Sequence, residues 1–345
     1  MSSERSRLNR GAAWRSVAIM LAGGLLPFLL GMDAIAPFFA SHQTKWSRVI
    51  DERVHATAAA MASPKVVFVG GSNVTFAINP RSLSARLGVP VLAYGVNAGI
   101  GLDLIVARAG TLIGPGDLVV LMPEIAHFRS DRAADPALRG DWISLFGNPV
   151  GDPIGRPPWR TWIAARERCR RAASTADNLV VGQVLALRSS WRRIPARPRP
   201  PGPYDVRSIG PEGNCIAPRP APTIVVKGVP LVRATEAEWL GSLGVRGVRR
   251  MGDACRAVDA RWCVLPGAIW TLADPPHPGL VSQMRQDEER LLALAASLGA
   301  EPLLPAGSSL LVGPYGFDTI NHLNDRGVAL LEDRLAPALA TRLAR

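Results

Sequence analysis

Three short apolar runs recur within about 60 residues, and each is followed or preceded by turn residues. Residues 65–69 (Lys-Val-Val-Phe-Val) end at Gly70-Gly71. Residues 89–96 end at Asn97-Ala98-Gly99-Ile100-Gly101. Residues 118–122 (Leu-Val-Val-Leu-Met) follow the turn Gly114-Pro115-Gly116-Asp117. Short, β-branched and apolar throughout, such runs read as strands buried on both faces. Residues 78–87 and 102–113 between them read as helices. This βαβ rhythm predicts an α/β fold: a three-layer α/β/α sandwich with a mainly parallel sheet. Its strands would end in turns at the edge where open α/β sheets bind ligands. The rhythm resumes with a strand at 261–265, an amphipathic helix over 281–298, a short strand near 302–304 and a closing helix at 327–343. The stretch 128–258 breaks it. Trp142, Trp159 and Trp162 punctuate an Arg-rich part, and the proline-rich 195–222 excludes a regular helix. It reads as an insertion or cap within one domain spanning 64–345, with the tryptophans as core or as a sugar-stacking platform. With 345 residues, 48% hydrophobic and 20% charged, the chain has ample material for a core, which excludes general disorder.

The first forty residues bear on compartment. Residues 1–16 form a basic tail, with Arg5, Arg7, Arg10 and Arg15 against Glu4. Residues 17–40 are apolar except for Asp33, and about 20 such residues span a bilayer. Basic flanks stay in the cytoplasm. The expected topology is therefore a single-pass anchor in the cell membrane, with residues 41–63 a linker helix and the rest periplasmic or otherwise extracytoplasmic. A cleaved signal peptide is the alternative. Ala34-Ile35-Ala36 resembles a cleavage box, against which Pro37 argues. A buried helix is a third reading. Cys169, Cys215, Cys255 and Cys263 form no Cys-x-x-Cys pair. Their even number permits two disulfides in an exported domain, or they are free thiols. The net charge of +12 is almost wholly arginine. The arginines are scattered and no readout motif accompanies them, so no nucleic-acid partner is expected.

Three segments converge if the strands are parallel. Gly70-Gly71-Ser72-Asn73 follows the first strand, Asn97 to Gly101 follows the second, and Asp318-Thr319-Ile320-Asn321-His322 precedes the last helix. A serine hydroxyl becomes a nucleophile when a base, usually a His oriented by a carboxylate, takes its proton. Of five histidines, only His322 lies in a polar, Asp-bearing loop between sheet and helix signals. Taken singly, each segment has a bland reading: Gly-Gly-Ser is a common turn, and Asp318 and His322 could cap the last helix. Their order on successive element ends is what carries the hypothesis. Backbone N–H groups at Ser72 and Gly99 are the expected oxyanion donors. No P-loop, metal-ligand cluster or dinucleotide fingerprint is present, so no metal or cofactor is expected.

On these residues the chain resembles the SGNH (GDSL-like) hydrolase superfamily. It is most similar to the membrane-anchored bacterial branch of exopolysaccharide O-acetylation and teichoic-acid D-alanylation proteins. Residues 67–73 resemble the first block, 97–101 the second and 317–324 the last. The resemblance covers about 65–125 and 260–343. It implies a Ser72–His322–Asp318 triad, with Gly99 in the oxyanion hole and Asn73, Asn97, Gly101 and Glu124 around it. There are departures. Gly71 stands where the family usually has Asp, Pro123-Glu124 stands where Gly-x-Asn-Asp is usual, and the Asp-to-His gap is three residues rather than two. The Asn that would donate a third oxyanion bond is thus missing, and Asn73 or a group from the cap would have to replace it. The activity implied is a serine esterase or O-acyltransferase acting on ester groups, acetyl above all, of an extracellular or periplasmic glycan such as cellulose. The implied partners are the membrane and a polysaccharide synthase or multi-span acyltransferase. The alternative is a catalytically inactive scaffold or glycan-binding component of a membrane polysaccharide-synthesis complex.

Overall fold

A computed structural model describes residues 42–128, 134–146, 201–220, 235–271 and 278–345. The fold is α/β with a mainly parallel sheet. In chain order the elements are α1 (His42–Ala59), β1 (Val66–Gly70), α2 (Ser72–Ala77), α3 (Pro80–Leu87), β2 (Val91–Gly95), α4 (Leu102–Ala109), β3 (Leu118–Met122) and α5 (Pro136–Phe146). They continue as α6 (Glu236–Gly241), α7 (Leu243–Ala257), β4 (Arg261–Val264), β5 (Ile269–Thr271), α8 (Pro278–Ser297), β6 (Glu301–Pro302), β7 (Leu310–Val312) and α9 (Asp325–Leu343). The main sheet has the order β2-β1-β3-β4-β6, and β5 pairs with β7 in a second, two-stranded sheet. Every strand pairing is parallel, with β1 between β2 and β3 (Val66 opposite Val91 and Leu118).

Alternate strand residues feed two cores, because successive side chains leave a strand on opposite faces. Val67, Val69, Leu92, Tyr94, Val119 and Leu121 pack with α1, α4 and α7 on one side. Val66, Phe68, Val91, Ala93, Leu118 and Val120 pack with α2, α3 and α9 on the other. This arrangement is compatible with a three-layer sandwich. The connection from β1 goes to β2 on one side, and the next returns to β3 on the other. The carboxyl ends of β1 and β3 therefore bound a topological switch point, the usual crevice of open α/β sheets.

Two segments take places other than those expected. Residues 42–59 are a wall of the core rather than a linker. Trp46, Ile50 and Val54, at a four-residue spacing, are buried on one face. The buried Asp51 carboxylate accepts from Arg108 at 3.0 and 2.9 Å and from the Tyr94 hydroxyl at 2.8 Å. Of the stretch expected to be a cap, residues 243–257 instead form the helix that covers the sheet before β4, burying Val245, Val248, Met251 and Cys255. Residues 201–220 run beside the β2 edge. There the Ala93 N–H donates to the Glu212 carbonyl at 2.9 Å and the Cys215 N–H to the Thr75 carbonyl at 3.0 Å.

Trp142 is 1% exposed and packs against Phe146, so it is a core residue and not a sugar platform. Trp159, Trp162 and Cys169 lie outside the described residues. Cys215, Cys255 and Cys263 are free and buried, with no disulfide among the described residues. Burial raises the Cys255 thiol to about 12 and the Cys263 thiol to about 11. The anchor expected over 17–40 also lies outside the described residues. Among those described, no helix is long and apolar enough to cross a membrane.

Candidate active site

Ser72 is the first residue of α2, immediately past the carboxyl end of β1. Its Oγ lies 2.9 Å from His322 Nε2. On the other side of the ring, His322 Nδ1 lies 2.8 Å from Asp318 Oδ1. An ionised carboxylate only accepts, so Nδ1 carries the imidazole proton and Nε2 is left to accept from the serine hydroxyl. The structure therefore brings Ser72, His322 and Asp318 into one hydrogen-bonded line.

The loop carrying His322 and Asp318 is tightly closed. Gly316 bridges Leu323, and the Phe317 N–H donates to the His322 carbonyl at 2.8 Å. The His322 N–H reaches the Thr319 carbonyl at 3.4 Å, a turn that folds Asp318 back beneath the ring. Asn324 ends the loop by accepting from the Gly327 N–H at 3.0 Å as the cap of α9. The imidazole is 6% exposed and stacks on the buried Phe76 ring, centroids 4.3 Å apart.

A fourth group, which the sequence did not single out, is Tyr204. Its hydroxyl donates to Asp318 Oδ2 and lies 3.0 Å from His322 Nδ1. Tyr204 is 39% exposed, and its partial burial, followed by the bond to Asp318, pushes the phenol pKa above its ordinary value, so the hydroxyl stays protonated. For Asp318, burial favours the neutral form. Hydrogen bonds from His322 and Tyr204 outweigh it, and the carboxyl sits below its ordinary value.

The remaining expected residues lie elsewhere or are already engaged. Asn97 Oδ1 accepts the Gly99 N–H at 2.8 Å, while the Asn97 N–H goes to Ser47 Oγ at 3.1 Å. The Gly101 N–H donates to the Ala98 carbonyl at 3.0 Å. These three residues cap their own turn, so the Gly99 N–H expected in an oxyanion hole is occupied. Asn73 is fully buried, and its side-chain amide donates to the Met122 carbonyl at 3.1 Å. It ties β3 to α2.

Glu124 fills the switch-point crevice. One carboxylate oxygen accepts from the Asn73 N–H at 3.4 Å and the other from the Asn321 amide at 3.3 Å. Gly71 makes room for it, because a Cβ at position 71 would fall 2.6 Å from Glu124 Oε1 and 3.0 Å from the Ala98 Cβ. Gly71 and Glu124 thus form one steric unit. His127 braces the same corner. It is buried, which pushes its pKa down and keeps it neutral. It accepts the Glu124 N–H at 3.2 Å and holds the Ala98 carbonyl at 3.2 Å. Among the described residues, no group of His, Cys, Asp and Glu side chains converges as metal ligands. A cavity of about 350 Å³ lined by Leu118, Arg261 and Arg342 opens at the amino edge of the sheet, away from Ser72, and takes no part in this site.

The fold and the hydrogen-bonded Ser-His-Asp line together define an α/β protein with a potential serine nucleophile. Comparison with protein-family models, with curated proteins and with solved structures finds no match.

Proposed function

We propose that the chain is an SGNH-like serine acyl-transfer enzyme, an esterase or O-acyltransferase. One observation carries the reading: Ser72 Oγ, His322 and Asp318 are joined at 2.9 and 2.8 Å at the switch point of a parallel sheet. In the first half-reaction His322 Nε2 takes the hydroxyl proton as Ser72 Oγ attacks the acyl carbon. The same nitrogen then returns the proton to the departing alkoxide, leaving an acyl-Ser72 ester. Water or a second alcohol, activated by the same base, attacks that ester and regenerates the serine. Asp318 holds the ring in the required tautomer and stabilises the imidazolium. With the N-terminal apolar segment as a single-pass anchor, the site would be extracytoplasmic. An acetylated glycan would be the substrate class, and a polysaccharide synthase or multi-span acyltransferase a partner. The test offers the purified protein p-nitrophenyl acetate and a fluorophosphonate probe. Labelling and turnover that vanish in Ser72→Ala are expected, and a wild-type protein silent to both would sink the reading.

A second reading rests on the oxyanion side. With the Gly99 N–H capped and a carboxylate in the crevice, the protein would serve as a non-catalytic glycan-binding or scaffolding component. It predicts that Ser72→Ala leaves the cellular phenotype intact while deletion of residues 1–41 abolishes it.

A further inference from the structure

We infer that Tyr204 is a positioning residue of this site, delivered from the segment 201–220 to lock the Asp318 carboxylate onto His322. The inference rests on the acyl-transfer reading above. His322 can fasten only one Asp318 oxygen, and the carboxylate side chain is 30% exposed. The Thr319 backbone N–H also bonds the carboxylate, but with no second side-chain donor the group can still take water and shift the ring it orients. The Tyr204 hydroxyl occupies the second oxygen. Because its proton goes to Asp318 Oδ2, the phenolic oxygen presents a lone pair to His322 Nδ1 at 3.0 Å. The Nδ1 proton is thus held between Asp318 Oδ1 and the tyrosine oxygen, and Nε2 stays aimed at Ser72. The Tyr204 ring is set by Phe76 at 5.2 Å, Trp46 at 6.3 Å and Phe317 at 6.4 Å between centroids, and Phe76 also stacks on the imidazole.

What aims the tyrosine is its segment. Past Tyr204 the chain is pinned at several points. The Arg53 guanidinium donates to the Ile209 carbonyl, and Thr57 Oγ1 donates to the Pro211 carbonyl at 2.8 Å. Cys215 bonds to Thr75, and Arg219 bonds to both the Phe76 carbonyl and Asp325. At Gly213 the backbone passes so near the sheet that a Cβ would lie 2.0 Å from the Ala93 carbonyl oxygen. Its φ of +93° also favours glycine. A segment held this closely presents its side chains at fixed positions, the condition a positioning group requires.

The experiment compares wild type, Tyr204→Phe, Asp318→Asn and the double variant. Phenylalanine keeps the ring packing and removes only the hydroxyl. Tyr204→Phe is expected to lower kcat roughly tenfold with KM changed less than about twofold, the scale of one lost bond to a charged group. In the Asp318→Asn background it is expected to cost almost nothing, since the group it orients is already gone. The downfield NMR resonance of the His322 Nδ1 proton should also move in Tyr204→Phe. Equal fold-losses in both backgrounds, or an unmoved resonance, would overturn the inference. If wild type neither labels nor turns over, the acyl-transfer reading fails, and the resonance alone still decides whether Tyr204 holds the pair.

Discussion

The two halves of the candidate site are built to different standards. On the nucleophile side every polar atom finds a complementary partner: Ser72 on His322, His322 on Asp318, and Asp318 on Tyr204. On the other side, three of the nearby donors are engaged within the protein. The Gly99 N–H goes to Asn97, and the Asn73 N–H and the Asn321 amide both go to Glu124. A base that activates serine and a pocket that stabilises an oxyanion are separable devices, and removing one oxyanion donor typically costs 10²–10³ in rate. On the acyl-transfer reading proposed above, turnover of simple esters is expected to be slow, and the full rate to require a substrate group that engages Glu124 or draws the donors from it.

Four perturbations bear on that contrast, the largest first. Ser72→Ala should lower turnover of p-nitrophenyl acetate by roughly 10⁴-fold or more, since serine, histidine and carboxylate act as a unit. A loss below about tenfold would mean that the aligned groups are not the source of activity. Glu124→Gln removes the charge facing the acyl oxygen while keeping the shape, and the amide adds a donor. A rise in kcat of roughly tenfold is expected, whereas a fall would assign the carboxylate to the machinery itself. Gly71→Ala should destabilise by about 1–3 kcal/mol through overpacking against Glu124. Thermal denaturation should show part of that recovered when Glu124→Ala is added, and additive losses would refute the steric link. The smallest effect concerns acid. Asp318 has a lowered pKa, so its ionised form contributes stability above the ordinary carboxylate range and loses it as pH falls through that range toward the lower folded value. The Tm gap between wild type and Asp318→Asn should therefore be widest near neutrality and close with acidification. A gap independent of pH would show that the carboxylate's charge adds nothing to the fold.

The positions of Ser72, His322 and Asp318, which the structure joins by hydrogen bonds, were legible in the sequence because each lies at the end of an element that its own residues announce. The apolar run 65–69 predicts a strand, the glycines that follow predict a turn, and the polar loop before a long helix predicts where a base can sit. Asn97 carried a signal that the family resemblance masked. An Asn two residues before a glycine is a common self-capping turn, and here it takes the Gly99 N–H. Tyr204 was illegible. It sits in a proline-rich stretch without periodicity, and its partner is 114 residues away, so only tertiary placement joins them. The helix over 42–59 shows apolar residues at 46, 50 and 54, four residues apart. Its role in the core depends on Asp51 finding Arg108 and Tyr94, pairings that no local pattern foretells.

The separation between Ser72 and His322, 250 residues in one chain, has a consequence in time. The serine leaves the ribosome long before its base exists, and the segment that brings Tyr204 arrives between them. A growing or partly unfolded chain carries an ordinary, unreactive hydroxyl. The Ser72–His322 contact forms only when the final helix docks and draws its preceding loop onto the sheet, so that contact reports that two distant parts of the chain have met.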